Sequence, residues 1–276
     1  MIRALAPVVA AVVVLSGSGA SASVAEPLPA VMAALGDSIS AGFNACGWYV
    51  ACRSRSWSAG DNAQVSSHYG RLAARGGELS GHNRNFAVPG ATSADLLGQV
   101  RQAVSVKAGY VTILIGAQDA CVSSERVMTP VEVYRRRVEE ALAELRAGLP
   151  EARVFVASIP DMRRLWRVGK DNAIARSFWT IGRICPAMLA DPTSRARKDV
   201  NRRARVRARL MDYNSAFATA CAAYGSLCRT DGGAVFSFPF TLDHISKWDF
   251  FHPNAEGQRV LARETFARGF DWADQL

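Results

Sequence analysis

The chain contains 276 residues and carries a formal net charge of +9, with 49% hydrophobic and 21% charged residues. One apolar run lies near the N-terminus and no second long run follows it, which excludes a membrane-spanning domain in the rest of the chain. The basic residues are not interleaved with aromatic ones, which argues against nucleic-acid binding.

Residues 1–22 have the features of a signal peptide. Arg3 supplies the positive start, residues 4–15 form an apolar core of 12 residues, and Ala20-Ser21-Ala22 is a typical cleavage site, with cleavage after Ala25 as an alternative. This core is too short to span a bilayer, so we expect removal and secretion rather than a retained N-terminal anchor. Residues 23–276 contain no repeat or linker and should form a single domain of α/β type.

The predicted elements alternate between short apolar strands and longer amphipathic helices. In chain order they are strand Val31–Leu35, strand Asn85–Val88, helix Asp95–Val104, strand Tyr110–Ile115, a helix that starts at Pro130 and is closed by Gly148 and Pro150, strand Arg153–Ala157, helix Val200–Ala223, a strand at Val235–Phe238 or nearby residues, and a final helix capped by Asn254. The helix after Thr129 should begin with a capping box, because Thr129-Pro130-Val131-Glu132 has the required spacing. Such alternation predicts a parallel sheet that helices cover on both faces.

Three polar loops directly follow predicted strands. Gly36-Asp37-Ser38 follows the first strand, Pro89-Gly90 the second, and Gly116-Ala117-Gln118-Asp119 the third. Ligands of such sheets bind at the carboxyl ends of the strands. The three loops are therefore predicted to share one site.

A serine, a histidine and a carboxylate form a candidate catalytic triad. Asp249 and His252 are three residues apart, so a turn can place the carboxylate on one imidazole nitrogen and leave the other to accept the proton of Ser38. Taken singly, the Asp-x-x-His pair is more typical of a surface loop, and Ser38 could cap a helix. Together they predict nucleophilic attack by an activated serine.

Three groups could stabilise the oxyanion that such an attack produces. They are the backbone N–H of Ser38, the backbone N–H of Gly90 and the side-chain amide of Gln118. Gly90 lacks a Cβ, which would let a substrate approach its N–H closely, although an ordinary Pro-Gly turn would also explain it.

The order and spacing of these segments resemble the four conserved blocks of the GDSL (SGNH) hydrolases. The matching segments are Gly36-Asp37-Ser38, Val88-Pro89-Gly90-Ala91, Gly116-x-Gln118-Asp119 and Asp249-x-x-His252. The resemblance implies a flavodoxin-like three-layer α/β/α fold with a five-stranded parallel sheet. It also implies esterase or lipase activity without a metal or other cofactor, and some segments look like those of phospholipase B-like members.

Gln118 departs from the family pattern, which places asparagine at this position. Glutamine keeps the amide donor but adds one methylene group, so the donor or its backbone must shift. The change is consistent with a working donor, with altered specificity or with a degraded site. We favour a working donor because Ser38, His252 and Asp249 are all present.

Six cysteines in an exported chain indicate disulfides. Among the 15 possible connectivities, we favour Cys46–Cys52, Cys221–Cys228 and, by remainder, Cys121–Cys185. No two cysteines are separated by two residues, so a zinc site is disfavoured and no metal is expected.

Other charged and aromatic residues have less specific interpretations. Eight basic residues lie between Arg195 and Arg209 with one acid, which fits a solvated helix face or contact with an anionic surface. Asp37 and Asp119 should position loops. The histidines outside the candidate triad, His68, His82 and His244, should be structural or exposed. Five aromatic residues could wall an acyl pocket or belong to the core: Phe43, Trp48, Tyr49, Phe250 and Phe251.

The expected function is secreted ester hydrolysis through an acyl-enzyme, with a fatty-acyl lipid or phospholipid as the first choice of substrate. An acetylated glycan is the second choice. A non-catalytic binding protein that retains the fold is the alternative from another class, and only Gln118 favours it. We expect a monomer.

Overall fold

The computed structural model describes residues 1–2, 25–47 and 49–273. Almost all of the predicted signal peptide, residues 1–22, and one predicted pocket residue, Trp48, therefore lie outside the described residues.

Within the described residues, five strands form one parallel sheet in the order β2-β1-β3-β4-β5. The strands are β1 Met32–Gly36, β2 Asn83–Asn85, β3 Tyr110–Leu114, β4 Arg153–Val156 and β5 Cys228–Thr230. The helices are α1 His68–Ala73, α2 Leu96–Ser105, α3 Ala117–Ala120, α4 Val131–Gly148, α5 Met162–Gly169, α6 Ala173–Ile181, α7 Pro186–Leu189, α8 Arg197–Tyr224, α9 Ala234–Ser237 and α10 Ala255–Phe266.

The central strands β1 and β3 are buried along their whole length. Their continuous apolar sequence is typical of parallel strands that are covered on both faces. Helices α2, α4 and α8 pack side by side in one layer, whereas α1 and α10 meet elsewhere through a hydrogen bond between His68 and Thr265. The predicted α/β fold with a five-stranded parallel sheet is confirmed.

Two local predictions were wrong. Residues 235–238 do not form the last strand, because α9 covers most of them. Gly232 and Gly233, with positive φ angles of 62° and 81°, precede this helix. The last strand, β5, lies earlier in the chain, at Cys228–Thr230. Helix α4 begins at Val131, one residue after the predicted start at Pro130, and its N-cap residue is Pro130 with no side chain capping it. The carbonyl of Thr129 instead accepts hydrogen bonds from α8.

Only part of the basic segment between Arg195 and Arg209 forms a solvated face, because several of its arginines bond to other parts of the molecule. Arg202 donates to the carbonyls of Pro186, Ala187 and Ala190. Arg203 is buried and stacks on Trp166. Three more arginines bond to partners on other elements, namely Arg205 to Glu125, Arg207 to Asp161 and Arg209 to Thr129. Arg205 stays exposed in its ion pair, and the other exposed cations, Arg195, Arg197 and Lys198, are left for the predicted contact with an anionic surface.

His68 is a structural histidine at the centre of the core. Its Nδ1 lies 2.8 Å from the Tyr110 hydroxyl and its Nε2 lies 2.7 Å from Thr265 Oγ1. Thr265 donates its own hydrogen to the Leu261 carbonyl, so Nε2 of His68 carries the proton and Nδ1 accepts from Tyr110. Burial, reinforced by the charge of Arg71, lowers the pKa of His68 to about 3.

This lowered pKa predicts a loss of stability in mild acid. An unfolded histidine binds a proton below its pKa of about 6.5 whereas folded His68 does not, so acid favours the unfolded chain as the pH falls from 6.5 toward 3. Between pH 7 and pH 5 this group should lower the free energy of unfolding by about 2 kcal/mol. Urea unfolding of wild type and His68→Gln at both pH values measures the effect; an equal drop in both proteins would contradict it.

Three disulfides join the cysteines in the favoured pairs, Cys46–Cys52, Cys121–Cys185 and Cys221–Cys228. The second pair ties the segment after α3 to the start of α7. Across residues 1–2, 25–47 and 49–273, we found no helix with the length and apolar character needed to cross a bilayer.

Candidate active site

Three loops meet at the carboxyl edge of the sheet, after β1, β2 and β3. Gly36 ends β1 with φ at +137°, where a side chain would collide with the Leu114 carbonyl of β3. The buried amide of Gln99 bonds both backbone groups of Gly36, at 2.7 Å and 2.9 Å. The chain therefore turns sharply at a fixed point and presents Ser38, which is partly exposed, at the sheet edge.

Ser38, His252 and Asp249 form one continuous chain of hydrogen bonds. Ser38 Oγ lies 2.8 Å from Nε2 of His252, and Nδ1 of the same ring lies 2.6 Å from Oδ2 of Asp249. Oδ1 of Asp249 accepts the backbone N–H groups of Phe251 and His252, at 2.8 Å and 3.0 Å. The turn between the acid and the imidazole is thus closed by the carboxylate itself.

The positions of the protons in these hydrogen bonds follow from the ionisation of Asp249. Its burial opposes ionisation, but the hydrogen bond and charge of His252 and the two backbone N–H groups outweigh burial and lower the pKa of Asp249. An ionised carboxylate only accepts hydrogen bonds, so Nδ1 of His252 carries the proton. Nε2 is then an acceptor, and the hydroxyl of Ser38 donates to it.

Asn44 is a fourth member of the site that sequence reasoning missed. Its Nδ2 donates to Oδ2 of Asp249 at 2.5 Å, and its side chain is 1% exposed. Its backbone has a positive φ of 60°, and its N–H donates to the Val50 carbonyl within the loop that the Cys46–Cys52 disulfide closes. No sequence pattern links two residues that are 205 positions apart.

Two backbone N–H groups are available beside Ser38. Neither the N–H of Ser38 nor that of Gly90 donates a hydrogen bond to any residue in the described part of the chain. Gly90 has φ at +85° in a turn closed by the bond from Ala91 N to the Val88 carbonyl. A Cβ at this glycine would meet nothing within 4 Å, so the positive φ rather than crowding explains the residue.

Gln118 lies at the same site on α3. Its side chain borders the same depression as Ser38, Gly90 and His252. Its amide donates to the Cys121 carbonyl over 3.4 Å, a long and therefore weak bond. The amide is thus beside the serine and held only loosely.

Asp37 and Asp119 position loops, as expected. Asp119 accepts from the N–H and the hydroxyl of Ser93, at 2.8 Å and 2.6 Å, and so ties α3 to the loop that carries Gly90. Asp37 accepts from the N–H of Ile39 at 2.9 Å. Burial raises the pKa of Asp37 to about 7, against the opposing effects of the Ile39 bond and the His252 charge.

Two clefts open from Ser38 and His252. The first, which we call the acyl cleft, passes between α5 and the segment before α10. Its walls are apolar except at the mouth and at Asp161, which pairs with Arg207. The apolar lining residues are Ile39, Ala117, Cys121, Pro160, Met162, Leu165, Val168, Phe240, Ile245, Phe251 and Pro253.

The second cleft, which we call the entry cleft, lies on the other side of the serine. It is bordered by Gly90, by Phe43 and by Val127, Arg183 and Ile184. Its opening is wider and more polar than that of the acyl cleft, because Ser123 and Arg183 border it.

The predicted aromatic wall is only partly present at these clefts. Phe43 packs on His252 with ring centroids 4.9 Å apart, and Phe251 borders both clefts. Tyr49 lies next to the entry cleft, in a depression that shares Ile184 with it. Phe250 lines neither cleft and packs on Phe178 of α6 instead.

The other histidines take no part in this site. His82 is exposed and contacts the Glu78 carbonyl, and His244 bonds Thr241 in a short capping turn. Among the residues that the structure describes, no group of three or more His, Cys, Asp or Glu side chains is placed to hold a metal ion.

Comparison with known proteins assigns the family. The model of the GDSL-like lipase/acylhydrolase family matches residues 34–260. No curated protein sequence matches the chain. Similar solved structures include a GDSL-like lipase from Parabacteroides merdae, at 14% identity, and phospholipase A1 from Streptomyces albidoflavus, at 20% identity. Both alignments have a TM-score of 0.52 and cover 86% of this chain. They cover 94% of the Parabacteroides merdae chain and 98% of the Streptomyces albidoflavus chain. The chain belongs to the GDSL-like lipase/acylhydrolase family and is an ester hydrolase.

Proposed function

We propose that Ser38, His252 and Asp249 are the catalytic triad of this ester hydrolase and that the reaction passes through an acyl-enzyme on Ser38. The observation that carries the proposal is the unbroken chain of bonds, 2.8 Å from serine to imidazole and 2.6 Å from imidazole to carboxylate. This arrangement has the distances that a serine nucleophile and its base require.

Attack begins at the hydroxyl of Ser38. Oγ forms a bond to the carbonyl carbon of the ester while its proton passes to Nε2 of His252. Asp249 stabilises the resulting imidazolium and keeps the ring in place, and Asn44 donates to the same carboxylate oxygen as the ring. The imidazolium then protonates the leaving alkoxide, and a water molecule releases the acid from Ser38 by the same steps in reverse order.

The oxyanion of each tetrahedral intermediate would be bound by Ser38 N–H, Gly90 N–H and the amide of Gln118. Support comes from the two N–H groups, which donate to no acceptor within the described residues, and from the common depression that all three positions border. Donors that are fixed before the reaction stabilise the developing charge without further reorganisation.

The position of Gln118 leads to a paired prediction. Because its present bond to Cys121 is long, replacing it with the family asparagine should not sacrifice a strong contact. Gln118→Asn should give equal or up to about tenfold higher kcat, whereas Gln118→Met, which is similar in length but has no donor, should lose about 10²–10³ in kcat.

Steady-state kinetics with one nitrophenyl ester measures both variants, and melting temperatures control for folding. A thousandfold loss in Gln118→Asn, or wild-type rates in Gln118→Met, would contradict a donor role for this side chain.

The substrate class that suits the site is a fatty-acyl lipid, including phospholipid. The acyl cleft supports this choice, because it opens at Ser38 and eleven apolar residues line it. An acetyl group would leave these walls in contact with water. Burial of their apolar surface would then not stabilise the bound substrate. We further propose that the protein acts outside the cytoplasm, supported by the leader sequence and by three disulfides.

A series of nitrophenyl esters from acetate to decanoate tests the substrate class. We expect kcat/KM to rise with chain length in wild type. Val168→Trp should fill the acyl cleft and lower kcat/KM for decanoate by about tenfold, with a much smaller effect on acetate. Val200→Trp, at an exposed position on α8, is the control. Strict preference for acetate would favour an acetylated glycan and rule out the lipid proposal.

A further inference from the structure

An unusual share of the exposed apolar surface surrounds the entry to the active site. Eleven large apolar side chains are exposed in the described part of the chain, and seven of them lie in or next to segments that supply the triad, the entry cleft or the depression beside it. We name these seven the apolar rim: Tyr49, Val50, Val88, Val127, Ile174, Ile181 and Trp248. Contiguous exposed apolar surface of this kind marks sites of protein or membrane interaction.

The apolar rim is continuous with the catalytic clefts. Val127 borders the entry cleft, and Val88 directly precedes the Pro89-Gly90 turn in its wall. Tyr49 and Ile181 line the neighbouring depression, which shares Ile184 with the entry cleft. On the other side, the hydroxyl of Tyr49 donates to the Trp248 carbonyl, one residue before Asp249. A molecule that covers the rim therefore lies beside the entry cleft, which Ser38 also borders.

Helix α6 gives the rim its most exposed part. Ile174, Phe178 and Ile181 recur at positions i, i+4 and i+7, so they lie along one side of the helix. Ile174 is 60% exposed and Ile181 is 84% exposed. The opposite side is anchored, because Trp179 is buried and donates to the Phe250 carbonyl. An amphipathic helix of this type binds in the plane of a lipid interface.

The charges beside the rim suit an anionic surface. Arg126 precedes Val127, Arg183 follows Ile181 by two residues, and Lys247 precedes Trp248; all three cations are exposed. The neighbouring acids are already paired, Glu125 with Arg205 and Asp171 with Lys170. Each cation near a membrane of anionic lipids strengthens attachment.

We propose that the apolar rim, centred on α6, docks the enzyme on an anionic lipid surface and delivers acyl chains to Ser38. The proposal rests on the lipid esterase function proposed above. Apolar side chains enter the interface around the entry cleft, cations contact the headgroups, and an acyl chain passes into the acyl cleft without crossing water.

Vesicles made of uncleavable diether lipids separate docking from catalysis. Wild type should sediment with diether phosphatidylglycerol vesicles and bind diether phosphatidylcholine vesicles more weakly. The double variant Ile174→Ser with Ile181→Ser should bind at least about tenfold more weakly, because two large apolar side chains no longer enter the interface. Its turnover of a soluble nitrophenyl ester should stay within about twofold of wild type, since neither residue touches the clefts.

Met211→Ser is the matched control, because Met211 is 47% exposed on α8, away from the rim. Wild-type affinity in the double variant, or wild type that hydrolyses soluble ester but binds no vesicle, would overturn the docking surface and leave the esterase proposal standing. If wild type is a dimer and the double variant is a monomer, the rim is a contact between subunits, and the lipid-docking proposal is overturned as well. Wild type that binds vesicles but hydrolyses no ester would instead contradict the proposed esterase function.

Discussion

Replacing Ser38 with alanine should reduce ester hydrolysis by about 10⁴-fold or more while the protein remains folded. The side chain of Ser38 is partly exposed and its hydroxyl is bonded to Nε2 of His252. Removing one oxygen therefore leaves the sheet edge intact but removes the nucleophile. The backbone N–H groups of residues 38 and 90 remain. They account for the weak acceleration that the variant retains over the uncatalysed reaction in water.

Burst and steady-state kinetics with a nitrophenyl ester measure this loss, and the melting temperature confirms folding. Ser237→Ala, at an exposed serine of α9, serves as the control and should retain wild-type rates. Activity within tenfold of wild type in Ser38→Ala would show that another group attacks the ester.

Replacing Asp249 with asparagine should lower kcat by roughly 10³–10⁴-fold. The carboxylate now accepts from both Nδ1 of His252 and Nδ2 of Asn44 through one oxygen, Oδ2. An asparagine has one oxygen, which can face either His252 and Asn44 or the two backbone N–H groups that Oδ1 of Asp249 accepts, and its NH2 group then faces donors on the other side. If its amide donates to Nδ1, the proton of the ring moves to Nε2, which can then no longer accept from Ser38.

Asp243→Asn provides the matched control for this substitution. Asp243 is an exposed acid next to His244, and it forms the other Asp-His pair in the same region of the chain. It should keep wild-type kcat. The account of the triad fails if Asp243→Asn is the slow variant, or if Asp249→Asn is unimpaired although its melting temperature is unchanged.

The positions of the three site loops could be predicted because strand ends and turn residues leave local signals. β-Branched and apolar residues end at Gly36 and Gly116, and parallel strands place their carboxyl ends along one edge. The juxtaposition of Ser38 and His252, which 214 positions separate, has no local signal and could be expected only from the combined motifs and the family resemblance.

Other parts of the fold leave no local signal. Strand β5 has three residues with Arg229 at its centre, so no apolar run indicates it. The apolar residues 235–238 were better candidates by composition, but glycines with positive φ before them redirect the backbone into α9. Asn44 lies in an irregular loop whose path depends on tertiary contacts.

The role of the basic segment on α8 also required the structure. Charge counting identifies arginines but not the carbonyl groups that surround them. Arg202 satisfies carbonyls around α7, and Arg203 is 2% exposed beneath Trp166. Arginine has five donors on a planar group, which makes it suited to such internal bonding. The cations beside the apolar rim, Arg126, Arg183 and Lys247, are instead far apart in the sequence.

The central claim is that the hydroxyl of Ser38 is the activated nucleophile, and covalent labelling tests it most directly. Wild type would be treated with a fluorophosphonate, digested and analysed by peptide mass spectrometry. We predict one stoichiometric adduct on the peptide that contains Ser38, formed rapidly in wild type and lost in His252→Ala. An unlabelled Ser38, or an adduct at a different serine, would contradict the account.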